Sequence, residues 1–387
     1  MNKDKRKICV VVTARPSYSR IKTALTAIKE HPNLQLQLVV AGSALLDRYG
    51  AAADYIERDG FTINEKVFMV LEGENKTAMA KTTGLGVMEL ANVFYNLKPD
   101  AVVTIADRFE TIATSIAASY QNIPLVHIQG GEVTGNIDEK VRHANTKLAD
   151  IHLVASEDAK QRVIKLGEDK NYVFNTGCPS IDLANQISNL KGLDFNPIEK
   201  YGGVGGLQNL PEKYIVVLQH PVTNEYKEAK EAVTKTLNVI NNLEVPTFWF
   251  WPNVDAGADG TSNGIRSFRE KYNPNHIRFF KNMDSMDFLK LLKNSQCLVG
   301  NSSAGIRECS FLGIPVVNIG TRQNRRQRGE NVIDVDYNES RIKEAIQRQL
   351  QSPKNTRSSI YGDGNSGDKI AEILATINLR FHKTISY

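Results

Sequence analysis

The sequence has few cysteines, and their spacing indicates no covalent framework. Four cysteines stand far apart among 387 residues, without a CxxC or Cys/His pattern, which argues against a zinc site and against a disulfide scaffold. The apolar stretch before Arg15 is too short for a signal peptide or a membrane span. No basic stripe is interleaved with aromatic residues, so nucleic acid is not an expected partner. We therefore predict a cytoplasmic protein that binds neither metal, membrane nor nucleic acid.

Two common nucleotide-binding motifs are also absent. Where a dinucleotide-binding domain would show GxGxxG after its first strand, the chain reads ARPSYS, and no GxxxxGK[ST] occurs. A nicotinamide or flavin cofactor thus lacks its usual support, and ordinary P-loop chemistry is excluded. We predict no cofactor. Arg15 can instead pair with phosphate oxygens, and Ser19 can cap the following helix; a solvated surface cation is the alternative for Arg15.

The composition is that of an ordinary globular protein long enough for two domains, with 41% hydrophobic and 24% charged residues. Apolar runs alternate with amphipathic ones in two series, which is typical of doubly wound α/β domains with parallel sheets. The alternation lapses over 186–213, where Tyr201–Gly206 is rich in glycine and predicts a flexible connection. We expect an N-terminal domain over 1–185, a C-terminal domain over 186–366, and a last helix within 367–387.

Polar residues cluster where two buried strands of the first domain, 101–106 and 123–128, give way to helices. Ligands of parallel α/β sheets usually bind at this edge. Carboxylates beside fixed cations suit general acid/base chemistry on a substrate with an anionic leaving group. The alternative is an ion-pair network, since two of these residues stand four apart on one helix. The cluster comprises Asp107, Arg108, Glu132, Asp138, Arg142 and His143.

The second domain carries the clearer anion-binding signal. After strand 296–299 comes GNSSAG, which contains Ser302 and Ser303, and then a predicted helix with Glu308. Small residues, hydroxyls and a helix N-terminus together favour a phosphate; a tight turn with Ser303 as an N-cap is the alternative. Equivalent strand ends supply His220, Asn253 and Asp255.

Taken together, and in the order in which they occur along the chain, the motifs resemble those of the hydrolysing UDP-sugar 2-epimerases. This family includes the UDP-N-acetylglucosamine 2-epimerases of sialic-acid synthesis. The resemblance runs over nearly the whole chain. Its motifs include Arg15 and Ser19, Asp107-Arg108-Phe109, Gly130-Gly131-Glu132, Ile137-Asp138, Arg142-His143, Gly177-Cys178-Pro179-Ser180, His220-Pro221, Gly300–Ser303, Arg307-Glu308 and Gly320–Gln323.

The resemblance implies a GT-B fold, with two Rossmann-like domains, an active site in the cleft between them and the last helix packed on the first domain. It implies that UDP-GlcNAc loses UDP by anti elimination to 2-acetamidoglucal, which water converts to ManNAc. It also implies roles for individual residues. Asp107 and Asp138 would be the acid/base carboxylates; His220, Arg15, Arg108, Ser302, Ser303 and Arg322 would hold the diphosphate; Phe288 and Met283 would contact uracil; Glu308 would bind ribose.

One position departs from the family pattern. Gln129 stands where the human-type enzymes and the non-hydrolysing relatives carry a glutamate that is counted among the catalytic carboxylates. Glutamine exchanges no proton at neutral pH, so Gln129 is expected to orient the sugar, with Glu132 a candidate substitute. A hydrolysing epimerase of UDP-2,4-diacetamido-trideoxy sugars, on the route to legionaminic-type acids, is therefore an alternative. A non-hydrolysing epimerase, a GT-B glycosyltransferase and a UDP-sugar sensor also stay open, and the resemblance implies a homodimer or homotetramer.

Overall fold

The computed structural model describes residues 5–46, 52–72, 76–133, 137–252, 258–354 and 356–386, without the side chains of residues 137, 138, 223, 224 and 226. The chain divides into two compact units. Unit 1 is Met1–Leu183 with Tyr361–Tyr387, and unit 2 is Ala184–Ile360. From the sequence, the boundaries between the two domains are predicted between residues 185 and 186 and between residues 366 and 367.

Unit 1 is a doubly wound α/β domain. Its strands are β1 (Arg6–Val12), β2 (Leu34–Ala41), β3 (Glu65–Val67), β4 (Ala101–Ile105), β5 (Leu125–Ile128), β6 (Ile151–Val154) and β7 (Val173–Asn175). Its helices are α1 (Arg15–Glu30), α2 (Ala52–Arg58), α3 (Lys76–Leu97), α4 (Thr111–Tyr120), α5 (Ile137–Leu148), α6 (Glu157–Lys165), α15 (Ser366–Thr376) and most of α7 (Pro179–Gln186). All neighbouring strands are parallel, in the order β3-β2-β1-β4-β5-β6-β7.

The sheet of unit 1 is buried on both faces, which explains the nearly continuous apolar runs in its strands. Alternate residues of β1 point to opposite faces: Ile8 and Val10 pack in a cluster with α1 and α15, and Cys9 and Val11 pack in one with α3 and α4. Leu374 of α15 is fully buried in the first cluster. The sequence predicts a helix over 369–381, which is wrong at its end, because α15 stops at Thr376.

Unit 2 repeats the architecture. Its strands are β8 (Val204–Gly205), β9 (Ile215–Leu218), β10 (Thr247–Phe250), β11 (Ile277–Phe280), β12 (Cys297–Gly300), β13 (Val316–Ile319) and β14 (Val332–Val335). Its helices are α8 (Pro197–Tyr201), α9 (Ala229–Leu243), α10 (Ala258–Tyr272), α11 (Ser285–Asn294), α12 (Ser303–Ile306), α13 (Glu308–Leu312) and α14 (Glu339–Gln351). The strand order is β14-β13-β12-β9-β10-β11-β8.

The glycine-rich stretch Tyr201–Gly206 lies inside unit 2 and contains a strand of its sheet, so its interpretation as a flexible connection is wrong. Val204 and Gly205 form β8, which pairs antiparallel with β11. Arg278 of β11 donates from Nε to Gly202 O (2.9 Å) and from Nη1 to Gly205 O (3.0 Å). A Cβ on Gly205, whose φ is +135°, would lie 2.3 Å from Ile277 O. Glycine thus serves here for a close backbone approach as well as for a turn.

The strand orders place one switch point in each sheet, where the chain reverses its direction of winding. In unit 1 this point lies between β1 and β4, and in unit 2 between β9 and β12. Ligands of open α/β sheets bind outside the carboxyl ends of such strands. The residues that follow β1, β4, β9 and β12 are therefore the first ones to consider for a site.

Candidate active site

The carboxylate of Asp107, which follows β4, forms an ion pair with Arg142 of α5. Asp107 is 9% exposed and Arg142 only 2%. The second guanidinium nitrogen, Nη1, donates to the main-chain oxygen of Glu132, 2.8 Å away, in the loop after β5. One buried cation thus joins the β4 end, the β5 loop and the helix α5. Arg142 is therefore not a surface residue of α5, and the side chain of Asp138, the partner that sequence spacing suggests for it, lies outside the described residues.

The loop after β5 begins with a strained residue. Gln129 has φ +66° and Gly131 φ +76°, in the left-handed region that non-glycine residues rarely adopt. Gln129 is 1% exposed, and its Nε2 donates to Cys178 Sγ at 3.0 Å. Within the described part of the chain, its Oε1 is buried without a hydrogen-bond partner. Strain and an open acceptor at one position favour a functional role.

His127, inside β5, is a site residue that the sequence reasoning missed. Its Nε2 lies 3.0 Å from the carbonyl oxygen of Ala106, and its Nδ1 lies 3.1 Å from Thr146 Oγ1 on α5. Burial lowers the pKa of His127 to about 4, so the ring is neutral at physiological pH. It connects the β4 end, where Ala106 has φ +63°, to α5. An apolar strand gives no sequence signal for such a bridge.

Arg108 and His143 contact acidic neighbours on their own segments. Arg108 Nε donates to Glu110 Oε1 at 2.8 Å, and Glu110 is buried. His143 Nε2 lies 3.4 Å from Glu139 Oε1, one turn earlier on α5. Both side chains are about one-third exposed, so each is partly open to solvent and to a ligand.

Arg15 is the first residue of α1, so the helix begins earlier than predicted. Ala14 is its N-cap and makes no side-chain cap bond, and Pro16 lies in the first turn, where its fixed φ favours helix. The predicted capping role of Ser19 is wrong, because Ser19 lies inside the helix and its Oγ contacts Arg15 O at 3.4 Å. The guanidinium of Arg15 lies over the ring of Tyr55, 4.5 Å from its centroid.

In unit 2, Asn301 organises the switch point. His220 N donates to Asn301 Oδ1 at 2.7 Å, and Asn301 Nδ2 donates to His220 O at 2.8 Å. Arg322 Nη1 and Gln323 Nε2 both donate to Asn301 O, at 3.2 and 2.9 Å. Burial, and then the charge of Arg322, lower the pKa of His220 well below 6.5. The β9 end therefore presents a neutral histidine beside a cation.

The serines after β12 adopt a different capping arrangement from the predicted one. Ser302, not Ser303, is the N-cap of α12, and its Oγ accepts from Ala304 N at 3.3 Å. The predicted helix 304–312 is broken at Arg307 (φ −105°, ψ −76°), which separates α12 from α13. Glu308 begins α13, and its Oε2 is buried without a hydrogen-bond partner among the described residues.

Met283 and Phe288 lie together in one apolar cluster of unit 2. Met283 is buried, and the ring of Phe288 meets Phe250 edge-on at 5.1 Å between centroids. Two predicted site residues, Asn253 and Asp255, lie outside the described residues, as does the side chain of Asp138.

Over the ranges given above, no helix combines the length and apolar character needed to cross a membrane. In the same part of the chain, no group of three or more histidine, cysteine, aspartate or glutamate side chains is arranged to hold a metal ion.

Comparison with known proteins identifies the family. The profile described as UDP-N-acetylglucosamine 2-epimerase matches residues 26–375. A Legionella pneumophila protein named UDP-N,N'-diacetylbacillosamine 2-epimerase (hydrolyzing) is 33% identical over 374 residues, 97% of each chain. Polysialic acid biosynthesis protein P7 of Escherichia coli is 33% identical over 346 residues, 88% of this chain and 85% of that protein.

A solved structure shows the same fold. The crystal structure of UDP-GlcNAc 2-epimerase from Neisseria meningitidis bound to UDP-GlcNAc has a TM-score of 0.77 and 18% identity, covering 95% of this chain and 99% of that chain. The predicted GT-B fold of two Rossmann-like domains is thereby confirmed, and so is the resemblance that the motifs carry. The chain belongs to the UDP-N-acetylglucosamine 2-epimerase family.

Proposed function

We propose that this protein is a hydrolysing 2-epimerase of UDP-2,4-diacetamido-trideoxy sugars, the class to which UDP-N,N'-diacetylbacillosamine belongs. The proposal rests on the similarity to the Legionella pneumophila protein, which extends over 97% of both chains. The name of that protein describes a hydrolysing 2-epimerase of UDP-N,N'-diacetylbacillosamine. The buried Asp107–Arg142 pair supports it, since it places a fixed carboxylate at the usual ligand-binding edge of the sheet.

The reaction has two steps. A carboxylate removes the proton from C2 of the sugar while the C1–O bond breaks, and its electron pair leaves with UDP. The resulting glycal then takes up water: hydroxide adds at C1, and a proton adds at C2 with inverted configuration. The products are UDP and the free 2-epimeric sugar.

We assign the proton transfers to Asp107 and Asp138, with Glu132 as a further candidate. Arg142 anchors Asp107 through the ion pair, so this carboxylate approaches the sugar in one orientation. Gln129 orients the sugar, because its unpartnered Oε1 can accept from an amide N–H or a hydroxyl. A diacetamido sugar offers one more amide N–H than UDP-GlcNAc.

We assign the nucleotide to residues of unit 2. A leaving diphosphate needs cations placed in advance, and the neutral His220 can donate one hydrogen bond to it. Met283 and Phe288 offer an apolar surface to uracil, and the unpartnered Glu308 Oε2 is an acceptor for ribose hydroxyls. The remaining proposed contacts are Arg15, Ser19, Arg108, His143, Asn253, Asp255, Ser302, Ser303 and Arg322.

The proposal is tested by NMR in heavy water. Purified protein is incubated with UDP-N,N'-diacetylbacillosamine, and UDP release and the sugar protons are followed. We expect free sugar with deuterium at C2 and inverted configuration, and no product with Asp107→Asn. An epimerised sugar that keeps its UDP would instead identify a non-hydrolysing enzyme.

UDP-GlcNAc is the second candidate substrate, favoured by the family profile, whose description names a UDP-N-acetylglucosamine 2-epimerase. The same experiment with UDP-GlcNAc distinguishes the two. Faster release of UDP from UDP-GlcNAc, with ManNAc as the sugar, would replace the diacetamido assignment. If UDP were released from neither sugar, both candidate substrates would be refuted.

A further inference from the structure

The segment of residues 377–386, which follows α15, packs against the rest of unit 1 without forming a helix or a strand. We call it the strap. Arg380 Nη1 pairs with Asp169 Oδ2 at 2.9 Å, and its guanidinium lies 3.4 Å from the ring centroid of Tyr172. Ser386 N donates to Gly167 O at 2.9 Å. Both ends of the strap are thus held against the loop that follows α6.

Lys383, in the middle of the strap, reaches the last turn of α5. Its Nζ donates to Ala149 O at 2.6 Å and more weakly to Thr146 O at 3.4 Å. The last carbonyl groups of a helix have no partner inside the helix and attract a cation. Lys383 therefore caps α5 from a part of the chain more than two hundred residues away.

Glu168 completes this arrangement as a buried carboxylate, 3% exposed. It accepts from Lys383 Nζ at 2.7 Å, from Lys147 Nζ on α5 at 2.6 Å, and from His152 Nε2 on β6 at 3.0 Å. Burial opposes the charged form, but the hydrogen bonds outweigh it and lower the pKa of Glu168 to about 2. The carboxylate is thus ionised at neutral pH and links α5, β6 and the strap. The proposed reaction uses none of these groups.

The capped end of α5 is one turn away from the site. Arg142, which holds Asp107, is four residues before Thr146, and the two therefore lie on the same face of the helix. Thr146 Oγ1 also contacts His127, the ring that connects α5 to the β4 end. A displacement of the last turn therefore moves Arg142 relative to its carboxylate partner.

We propose that Lys383, acting with Glu168, is a positioning residue of the 2-epimerase reaction: by capping α5 it holds Arg142 against Asp107. This inference rests on the proposed function for its kinetic consequence. Lys383 touches neither substrate nor reacting atoms, so its effect is on the orientation of the carboxylate. Misplacement of a catalytic group by about 1 Å can reduce the rate about 100-fold.

The test compares three variants of the full-length protein. Lys383→Ala removes the cap, Lys383→Arg keeps a cation able to donate to carbonyl oxygens, and Arg380→Ala weakens the strap without contacting α5. With the UDP-sugar that the wild type turns over, we expect kcat of Lys383→Ala to fall about 10- to 100-fold with KM nearly unchanged. Lys383→Arg should recover most of the rate, and Arg380→Ala should stay within about twofold.

Amide hydrogen exchange of α5 provides a readout that does not need activity. We expect faster exchange over 140–148 in Lys383→Ala, but not in Arg380→Ala. If the wild type is active and Lys383→Ala keeps its kcat, the positioning role is refuted while the proposed function stands. If no UDP-sugar is turned over, the proposed function fails, and exchange alone decides whether Lys383 orders α5. Equal loss of rate in Lys383→Ala and Arg380→Ala, without rescue by arginine, would show a merely structural strap and overturn the inference.

Discussion

Replacing Glu168 by glutamine should destabilise the protein in a pH-dependent way. The pKa of this carboxyl falls from 4.5 to about 2 on folding, and each pKa unit corresponds to about 1.4 kcal/mol. The charge therefore contributes about 3 kcal/mol to the free energy of unfolding at neutral pH. Because the pKa of the folded state is the lower one, this contribution is complete well above pH 4.5 and is lost as the pH falls toward 2.

Urea unfolding followed by far-UV circular dichroism measures this difference. Wild type and Glu168→Gln should differ by about 3 kcal/mol at pH 7 and by about 2 kcal/mol at pH 3.5. Glu57→Gln is the matched control, because Glu57 pairs with Lys66 at 2.9 Å on the surface of the same unit, with half of its side chain exposed. Removing that pair should cost less than about 1 kcal/mol. The reasoning would be refuted if Glu168→Gln lowered the free energy of unfolding no more than the control does. It would also be refuted if the difference from wild type did not become smaller between pH 7 and pH 3.5.

Three further substitutions test the site itself. Asp107→Asn should lower kcat about 10²- to 10⁴-fold. Because it removes the negative charge from the buried ion pair with Arg142, it should also reduce the free energy of unfolding by about 3 kcal/mol. NMR turnover and urea unfolding measure the two effects, and a kcat within threefold of wild type would contradict the assignment. The pKa of His220 lies well below 6.5, so His220 does not change its charge near that pH. The pH dependence of UDP affinity near pH 6.5, measured by calorimetry, should therefore be the same in wild type and His220→Gln. Gly131→Ala should lower the melting temperature and abolish turnover, because its φ is +76° and the new Cβ would lie 2.3 Å from Ala159 O. Gly60→Ala is the control, because Gly60 also has a positive φ but a Cβ there would meet no atom within 4 Å. It should lower the free energy of unfolding by only about 1–2 kcal/mol. Equal effects of the two glycine variants would contradict this account.

The sequence predicts the two sheets well because their strands are buried on both faces. The apolar and amphipathic runs predict strands over 277–280 and 332–335 and a helix over 76–97, and β11 (Ile277–Phe280), β14 (Val332–Val335) and α3 (Lys76–Leu97) have these bounds. Short elements were predicted poorly. β8 is only two residues long among glycines, and its pairing depends on contacts with a strand about seventy residues later. The break at Arg307 occurs without a glycine or proline at that position.

The candidate site was predicted as a set of residues but not as a set of contacts. Polar residues at strand ends point to Asp107 and His220, because parallel strands present their carboxyl ends at one edge. Sequence spacing suggests an Asp138–Arg142 pair, which lies outside the described side chains, and it gives no sign of the Asp107–Arg142 pair that the structure shows. The choice among several acidic partners depends on tertiary packing. His127 and the Lys383 cap were missed for the same reason, since their partners are distant in sequence or lie in apolar strands.

The short strand β8 also bears on the solubility of unit 2. Without it, the backbone of β11, an aromatic strand that ends in Phe279-Phe280, would present unpaired N–H and C=O groups at the edge of the sheet. Open apolar edges promote pairing between molecules and aggregation. A two-residue strand covers part of this edge and is itself too short to template another chain, while Arg278 binds the carbonyl oxygens of Gly202 and Gly205. The glycine-rich stretch thus protects the sheet from edge-to-edge association between copies of the chain.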